Sequence, residues 1–460
     1  MAQQTKNLIG ITGVPFVMVL GNSMLIPVLP AMKSAMGLSS MQSSFLITAF
    51  SIAAGLVIPV AGYLSDRFAR KKVIVISLII YGIGGLLAGL AALWIKQPYA
   101  IILAGRFLQG IGAAGTAPIA MALVGDLFQG SSESKALGLL ETSNGMGKVL
   151  SPIFGSLLGL IAWYMVFLAF PVICGLLLVL FLWLVKEKAA QKKPVALGEY
   201  IQSVKAVLRK HKSWLWAAFL IGSVCLFTLF GVLYYLSERL EEEYKIEGVL
   251  KGGILAIPLL AMSIMAYITG MLIKQKLTRM RWFIIIGMTL LAASYFAASL
   301  VQNVYALIAI LVGGSIGTGM ILPCLNSMIT GSVKKAERGM ITSLYNGVRF
   351  IGVAVGPPVF SWLISLSPKV MFYSVAALAG VSGLIALFFI KPANIDMQAA
   401  SREQQEAKQK EQEALRQAIE ILGLEPDSPE AKAKQRSREK LGFDVNSLIE
   451  QVLCKKEKEK

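Results

Sequence analysis

Four ionisable side chains lie inside long apolar stretches of this sequence, namely Arg106, Glu141, Lys148 and Arg349. A charge in such a stretch is costly and normally faces a cavity, an opposite charge or backbone carbonyls, so these residues are functional candidates. Glu141 could take up and release a proton, and the three cations could hold an anion. Enzyme chemistry is not expected, because the only histidine, His211, lies in a basic segment and the four cysteines show neither metal nor disulfide spacing.

Glu141 and Lys148 are seven residues apart and therefore share one face of a helix. Their separation along the helix axis is about 10 Å at 1.5 Å per residue, which is too far for a direct ion pair in an ideal helix. Each is therefore expected to meet another partner. The alternative is that Glu141 neutralises one of the cations structurally and leaves the other cation for packing.

The elements that must position these residues are membrane-spanning helices. The chain has 460 residues, of which 56% are hydrophobic and 15% are charged, whereas a soluble protein carries roughly 25% charged residues. Twelve apolar segments approach or exceed the ~20 residues that a spanning helix needs. They lie near residues 8–32, 43–64, 73–95, 98–126, 136–160, 163–186, 214–237, 250–273, 281–301, 303–330, 339–365 and 369–391. We predict an all-α polytopic membrane protein with twelve transmembrane helices.

The charges in the connections predict how these helices are oriented. Lys and Arg concentrate in the loops that follow the even-numbered segments, and cytoplasmic loops carry such an excess. The opposite loops carry few charges except in 238–251, which is net acidic. Both termini are therefore predicted to be cytoplasmic, in a protein of the cell membrane. This topology in a lipid bilayer, rather than a nucleic-acid partner, accounts for the net charge of +18.

The sequence also contains an internal repeat. Pro118 recurs as Pro323, and Pro152 recurs as Pro357, each 205 residues later in a matching apolar segment. One offset shared by two pairs of segments indicates that a six-helix unit was duplicated. Parallel halves of this kind hold their substrate site between them at mid-depth in the membrane.

The same offset places Arg349 at the repeat position of Asn144. Lys148, Arg349 and Glu141 are therefore expected to point toward the middle of the bundle. The predicted domains are an N-terminal six-helix half over 1–190, a cytoplasmic linker over 191–213, a C-terminal six-helix half over 214–391 and a charged helical cytoplasmic tail over 392–460.

The linker and the tail are predicted to lie outside the membrane. The linker shows apolar residues at helical spacing, which is typical of an amphipathic helix at the membrane interface. The tail carries a charged helical pattern that ends at a Pro-rich break. It is either a solvated extension that docks on the rest of the protein or a segment that binds a protein partner.

The short loop over 62–72 resembles the loop between the second and third helices of the major facilitator superfamily. The residues that match the superfamily's pattern are Gly62, Leu64, Asp66, Arg67, Arg70 and Lys71. The loop departs from the pattern at Ala69, where the family usually has glycine.

Two further segments resemble motifs of the same superfamily. The fourth segment resembles its fourth-helix motif, at Arg106, Gln109, Gly110 and Gly112. The fifth segment resembles the motif of the drug/proton antiporter branch, at Gly147, Ser151, Pro152 and Gly155. Ser151 and Ser156 stand where that motif has glycines. The motif implies a bent helix that packs tightly against the opposite half, and the alternative is a purely structural packing seam.

The resemblance implies the major facilitator fold and a secondary active transporter, not an enzyme. The expected activity is proton-coupled efflux of amphipathic drugs or metabolites by alternating access, in a monomer that binds a small-molecule substrate. No cofactor is expected, and the proton gradient would supply the energy. One alternative is an exporter of an anionic metabolite or lipid-like compound. Another is a non-transporting receptor or scaffold that acts through its tail.

The resemblance also assigns roles to particular residues. Many proton-coupled drug exporters carry an acid near the position of Asn22, and since asparagine cannot titrate, Glu141 is the expected proton-coupling residue. Arg106 either contacts substrate or proton, or locks helices together. The expected cavity residues are Asn22, Arg106, Asn144, Lys148 and Arg349. The expected gating residues are Gly62, Asp66, Arg67, Arg70, Lys71 and Asp126, with Asp126 paired to Arg67 or Arg70.

Overall fold

The computed structural model of this protein describes residues 2–128, 131–187, 197–210, 212–273, 276–333, 335–391 and 395. These residues form α1 (Ala2–Ser23), a 3₁₀ turn (Ile26–Val28), α2 (Leu29–Met36), α3 (Ser40–Arg67), α4 (Arg70–Trp94), α5 (Tyr99–Ala114), α6 (Ala117–Leu127), α7 (Ser131–Gly159), α8 (Met165–Leu184), α9 (Leu197–Lys210), α10 (Lys212–Glu242), α11 (Gly248–Ile273), α12 (Leu277–Ala298), α13 (Val304–Gly331), α14 (Lys335–Leu366) and α15 (Pro368–Phe389). Apart from Ile395, the predicted tail lies outside the described residues.

The predicted all-α class is confirmed. Eleven helical stretches among the described residues are long and apolar enough to cross a membrane. The predicted fifth span corresponds to α7, which has 29 residues and is about 43 Å long at 1.5 Å per residue. It falls outside the eleven because its first half is polar and includes Glu141, Asn144 and Lys148. The least apolar of the long helices is therefore the one that carries most of the candidate chemistry.

Two spans that look continuous in the sequence are interrupted in the structure. The first changes from α1 to the 3₁₀ turn that contains Pro27 and then to α2. The fourth is split at Gly115 and Thr116 into α5 and α6, and Pro118 lies in the first turn of α6. Proline lacks a backbone N–H and clashes with the preceding turn, so it ends a helix or starts one. The other predicted spans form single helices.

The helices pack in two groups that meet mainly along two helix pairs. In the first group α4 packs on α5 and α8, α3 on α5, and α1 on α7 and α8. In the second group α12 packs on α13 and α15, α11 on α13, and α10 on α14 and α15. The groups meet mainly where α3 packs on α14 and where α7 packs on α11, and also where α2 contacts α10 and the 3₁₀ turn contacts α10 and α11. All the described helices belong to one unit over Met1–Asp396, and the predicted boundaries at 190, 213 and 391 stay a prediction.

The contact between α3 and α14 depends on glycine. A Cβ atom on Gly55 would lie 2.9 Å from the carbonyl oxygen of Gly347, and a Cβ on Gly347 would lie 2.6 Å from the carbonyl oxygen of Gly55. The two backbones therefore touch without a side chain between them. Farther along the same pair, the Thr48 hydroxyl donates to the carbonyl oxygen of Ala354 at 2.6 Å. Small residues let membrane helices approach in this way.

Candidate functional site

Helix α7 is held between one helix of each group. On one side the Ser143 hydroxyl donates to the carbonyl oxygen of Thr12 in α1 at 2.7 Å, and Gly147 faces Phe16 of the same helix. On another side Gly145 faces Ser263 of α11. These contacts fix the rotation of α7 about its own axis.

Glu141, Asn144 and Lys148 lie on the arc of α7 between these two contact surfaces, since residues three, four and seven apart share a face. Met146 lies on the other side of α7 and its side chain is 55% exposed. An exposed methionine on a spanning helix marks the surface that faces away from the bundle. The polar arc of α7 therefore points into the bundle, as the sequence predicted.

Helix α14 presents a matching polar arc. Gly347 faces α3, and Gly352 faces Ser223 of α10. Asn346 and Arg349 lie on neither of these contact surfaces, and Val355, on a different side of the helix, is exposed. Arg349 is thus turned toward the same interior as the polar arc of α7.

Lys148 and Arg349 are close enough to act on each other electrostatically, and Glu141 acts on Lys148 as well. Within the described part of the chain, the ammonium group of Lys148 has no hydrogen-bond partner. The sequence predicted that these three residues point toward the middle of the bundle, and Lys148 lies within electrostatic range of both Arg349 and Glu141. Two cations and one carboxylate leave this cluster with an excess positive charge.

Arg349 is held by neutral groups. Its Nη1 donates to Oδ1 of Asn346 at 3.2 Å and to Oδ1 of Asn326, on α13, at 3.5 Å. Its guanidinium carbon lies 5.2 Å from the ring centroid of Tyr345. Its Nε is buried and has no acceptor among the described residues. The guanidinium is therefore oriented by its neighbours but keeps an unused donor.

Arg106 is fully buried and lies within the first group of helices. Its guanidinium donates to the carbonyl oxygen of Leu46 at 3.0 Å, to Oε1 of Gln109 at 2.8 Å and to Oδ1 of Asn22 at 2.7 Å. It also lies 4.6 Å from the ring centroid of Phe50. In this structure Arg106 thus joins α1, α3 and α5, which matches the locking role that the sequence left open. The described partners of this cation are all neutral.

The loop between α3 and α4 pairs its charges as expected. Arg70 donates through Nη2 to Oδ1 of Asp66 at 3.1 Å and through Nε to Asp126. Arg67, the other predicted partner of Asp126, instead approaches the hydroxyl of Tyr63 at 3.5 Å. We call this end of the bundle the loop end. Its described ion pairs lie between residues of the first group.

Glu187 is a member of this network that the sequence analysis missed. Its carboxylate accepts from the backbone N–H of Arg70 at 3.1 Å and of Lys71 at 2.9 Å. These are two of the free amides at the start of α4, where a negative charge is favoured. Lys71 in turn donates to the carbonyl oxygens of Leu182 and Val185 at the end of α8. Nothing local in the sequence marks Glu187, because its partners lie more than a hundred residues away.

The linker forms the predicted helix, α9, and it contacts the loop end. The rings of Tyr200 and Tyr63 are 5.0 Å apart in an edge-to-face arrangement. Burial, together with the negative charge of Asp66, raises the pKa of Tyr200 to about 12. Tyr200 therefore stays neutral at physiological pH and serves as an apolar contact between α9 and α3.

The opposite end of the bundle, which we call the far end, holds ion pairs that cross between the two groups. Lys33 donates to Oε1 of Glu238 at 2.7 Å and to Oε1 of Glu242 at 2.8 Å. The Ser40 hydroxyl donates to the same oxygen of Glu238 at 2.8 Å. Lys33 and Glu238 are 205 residues apart, which is the offset of the repeat. The two residues thus occupy equivalent positions of the two halves, a signal that could have identified the pair from the sequence.

A second cross-group contact at the far end is more deeply buried. Lys251 is only 1% exposed, and its ammonium donates to the carbonyl oxygen of Pro27 at 2.7 Å and to Glu241. The Ser237 hydroxyl donates to the carbonyl oxygen of Ile26 at 2.8 Å. The ion pair of Lys251 with Glu241 lies within the second group and holds the ammonium that reaches Pro27 of the first. We call the ion pairs of Lys33, together with the ion pair and cross-group hydrogen bond of Lys251, the far-end clasp. The net acidic charge of 238–251 is evident in the sequence, but its partners in the first group are not.

The antiporter-like motif on α7 packs against both groups. A Cβ on Gly155 would lie 2.0 Å from the carbonyl oxygen of Met24, the residue after α1, and a Cβ on Gly252 of α11 would lie 2.6 Å from the carbonyl oxygen of Pro152. Ser151 donates its hydroxyl to the carbonyl oxygen of Gly147. The expected close packing against the opposite group is present, and α7 stays one helix through Pro152.

Comparison with known proteins places the fold and this arrangement in context. A family model described as the Major Facilitator Superfamily matches residues 11–282 and 276–426. The chain is 47% identical over 387 residues to the bacillibactin exporter of Bacillus subtilis (strain 168), covering 84% of this chain and 96% of that protein. It is 26% identical over 377 residues to the class C tetracycline resistance protein of Escherichia coli, covering 78% and 90%. The solved structure of a bacterial homologue of the human lysosomal transporter Spinster, inward-facing and unoccupied, superposes with a TM-score of 0.70 at 16% identity, covering 86% of this chain and 98% of that one.

Proposed function

Because this chain belongs to the Major Facilitator Superfamily and is an efflux transporter of the membrane, we propose that it exports an anionic amphipathic compound by alternating access. The substrate would bind between α7 and α14, on the excess positive charge of Lys148 and Arg349. The relative with 47% identity is named for bacillibactin, so bacillibactin is the first compound to assay. Relatives named for tetracycline resistance and for multidrug resistance make tetracycline and other amphipathic drugs the second candidates.

The cation pair is the observation that carries this proposal. Lys148 lacks a hydrogen-bond partner among the described residues, and Nε of Arg349 lacks an acceptor there. Two neighbouring positive charges repel each other, and a bound anion relieves that cost while filling the unused donors. A lipophilic cation would meet repulsion unless Glu141 were ionised beside it. Substrate charge is therefore the property that this site discriminates best.

We also propose that Glu141 couples transport to the proton gradient. Its carboxylate acts on Lys148, so ionised Glu141 competes with an anion for that cation, and protonation of Glu141 strengthens anion binding. Electrostatics alone would therefore favour binding of the proton and the anion at the same time. For antiport, in which the anion leaves the cell as the proton enters, the conformational change must separate proton binding from anion binding.

Transport into everted vesicles tests the proposal. Bacillibactin, one anionic dye and one cationic dye are each assayed under an imposed pH gradient and, separately, under an imposed membrane potential. Arg349→Gln should weaken anion transport by the equivalent of ~1.5–3 kcal/mol, the usual value of a hydrogen bond to a charged group, and spare the cation. Arg209→Gln, which removes an exposed cation of α9, is the matched control. Equal loss of both dyes in Arg349→Gln would make Arg349 a structural residue and remove the anion preference.

Glu141→Gln separates coupling from binding. It should bind the anionic dye at least as tightly as the native protein, because a competing charge is gone. It should also lose the response of transport to the pH gradient. An unchanged response to the gradient in this variant would exclude Glu141 as the coupling residue.

The orientation is part of the same proposal. The loop end and α9 would face the cytoplasm, since their charge is basic. A single cysteine introduced as Ser203→Cys in α9 should be labelled by an impermeant thiol reagent in everted vesicles and not in intact cells. Labelling from outside intact cells would reverse the orientation.

A further inference from the structure

The hydrogen-bond acceptors of the Arg349 guanidinium are neutral side chains. An arginine inside a membrane protein normally meets a carboxylate or backbone carbonyls. The described acceptors of this guanidinium are instead two side-chain amides, Asn326 from α13 and Asn346 from α14. A carboxylate at either position would have nearly the same shape, since aspartate and asparagine differ only by an oxygen in place of an NH₂ group. The amides therefore differ from carboxylates in their effect on the charge of the site and not in how they fit against Arg349.

The internal repeat supports the same interpretation. Asn346 lies 205 residues after Glu141 and therefore occupies the equivalent place in the second half. In the first half this place holds a carboxylate, three residues before the neutral Asn144. In the second half it holds an amide, three residues before the cationic Arg349. A carboxylate and a cation thus never occupy this pair of positions in the same half.

We propose that Asn326 and Asn346 determine the substrate specificity of this transporter by orienting Arg349 without neutralising it. This inference rests on the proposed export of an anion. The two amide oxygens occupy Nη1 and hold the guanidinium against the Tyr345 ring. They leave the full positive charge, and the buried Nε donor, for a negative group of the substrate. Both asparagines act through Arg349 and are positioning residues.

An aspartate in place of either asparagine would change the outcome in a defined way. A carboxylate accepts a charge-assisted hydrogen bond from the guanidinium, which is roughly twice as strong as the neutral one, and it cancels the charge. The substrate anion would then have to displace a fixed ion pair. A cationic substrate would meet a site with one positive charge fewer. Loss for the anion and gain for the cation is a signature that a merely structural role does not produce.

The experiment compares Asn346→Asp with Asn346→Ser, which shortens the side chain but adds no charge. The initial rate of export of an anionic and a cationic fluorescent dye is measured over a range of dye concentrations, in the full-length protein in proteoliposomes. Asn326→Asp, on a different helix, repeats the charge test if the first variant folds poorly. Asn346→Asp should raise the KM for the anionic dye about tenfold or more, with kcat less affected, and should leave the cationic dye unchanged or faster. Asn346→Ser should raise the KM for the anionic dye by a smaller factor.

The outcomes separate this inference from the proposed function. If the native protein exports the anionic dye and only the aspartate variants lose it, both stand. If the serine variant loses as much as the aspartate variant, or if both dyes are lost equally, the specificity role is wrong and the anion exporter stands. If the native protein exports the cationic dye and not the anionic one, both ideas are overturned.

Discussion

The two ends of this bundle use their charges in different ways. At the loop end Arg70 pairs with Asp66 and Asp126, and Glu187 covers the start of α4, so these contacts tie together helices of the first group. At the far end Lys33 reaches Glu238 and Glu242 of α10. One network strengthens a group of helices, and the other joins the two groups.

This difference indicates which end is closed. Ion pairs between the groups must break before the groups can separate, and the described pairs of this kind lie at the far end. At the loop end the crossing contact of α3 and α14 lies between small residues, where Gly62 faces Ser343. A transporter with alternating access in this arrangement is shut at the far end.

The largest expected effect comes from breaking the buried part of the far-end clasp. Glu241→Gln removes the carboxylate partner of Lys251, an ammonium group with almost no access to water. Removing one partner of a buried pair leaves an uncompensated charge and costs about 3–5 kcal/mol, toward the lower value here because the carbonyl of Pro27 still accepts. We expect a clear fall in the Tm of the purified protein. The control is Glu243→Gln, whose exposed pair with Arg239 should contribute under about 1 kcal/mol. Equal Tm values for the two variants would contradict the clasp.

A smaller effect is expected at the exposed part of the clasp. Lys33→Gln loses two partly exposed ion pairs, so the far end should open more often without much loss of stability. Ser43 is buried beside this contact, and a cysteine there, in a background without native cysteines, reports the opening. Its labelling rate should rise several-fold, equivalent to about 1 kcal/mol.

The charge-swapped pair provides the control for this experiment. Lys33→Glu combined with Glu238→Lys should restore slow labelling of the reporter cysteine, because the cross-group attraction is rebuilt with reversed signs. Slow labelling in Lys33→Gln alone would mean that packing, not charge, closes the far end.

At the loop end we expect a change in the rate of transport without a change in the closure of the far end. Asp66 is 40% exposed, so Asp66→Asn should change the free energy of unfolding by less than about 1 kcal/mol, with a correspondingly small change in Tm. Labelling of the reporter cysteine at the far end should be unchanged. Transport of anionic and cationic compounds should fall alike, since the loop is proposed to act in gating and not in substrate choice. Loss of a single compound would argue against the gating role.

An effect on stability alone, and not on transport, is expected at the linker helix. Tyr200→Leu removes one aromatic ring from the contact with Tyr63, which is worth roughly 0.5–1.5 kcal/mol. Tyr200→Phe keeps the ring and removes a hydroxyl that is neutral at physiological pH. A lower Tm in the leucine variant and a native Tm in the phenylalanine variant would confirm that α9 is fastened through this ring. Equal Tm values in all three proteins would exclude it.

The helices and the polar arc of α7 could be predicted from the sequence because both are local patterns. Apolar segments of about twenty residues predict spans, and the spacing of Glu141 and Lys148 predicts a shared face. The pairing of Asp126 with Arg70 was expected only from the family's loop pattern. These features need no knowledge of which helices become neighbours across the bundle.

The far-end clasp and the environment of Arg349 depend on such neighbours and were missed. Glu241 meets Lys251 across a turn, but Lys251 also donates to Pro27, in the 3₁₀ turn more than two hundred residues away. Asn326 reaches Arg349 only because α13 and α14 converge. The place of Arg106 shows a different limit, since the sequence indicated a buried cation but could not reveal that neutral groups, including Asn22, satisfy it.

The contact between Gly55 and Gly347 has a mechanical consequence. In most packed helix pairs the side chains of one helix sit between side chains of the other. Rotation of one helix therefore requires those side chains to separate first. At this point the two backbones touch directly, so neither Gly55 nor Gly347 has a side chain that must move aside. We expect this contact to let one group of helices rotate against the other with a lower energy barrier than a contact between interlocked side chains would. An alanine at either glycine would place a methyl group between the two backbones. It should hinder the relative rotation of the two groups as well as disturb their packing.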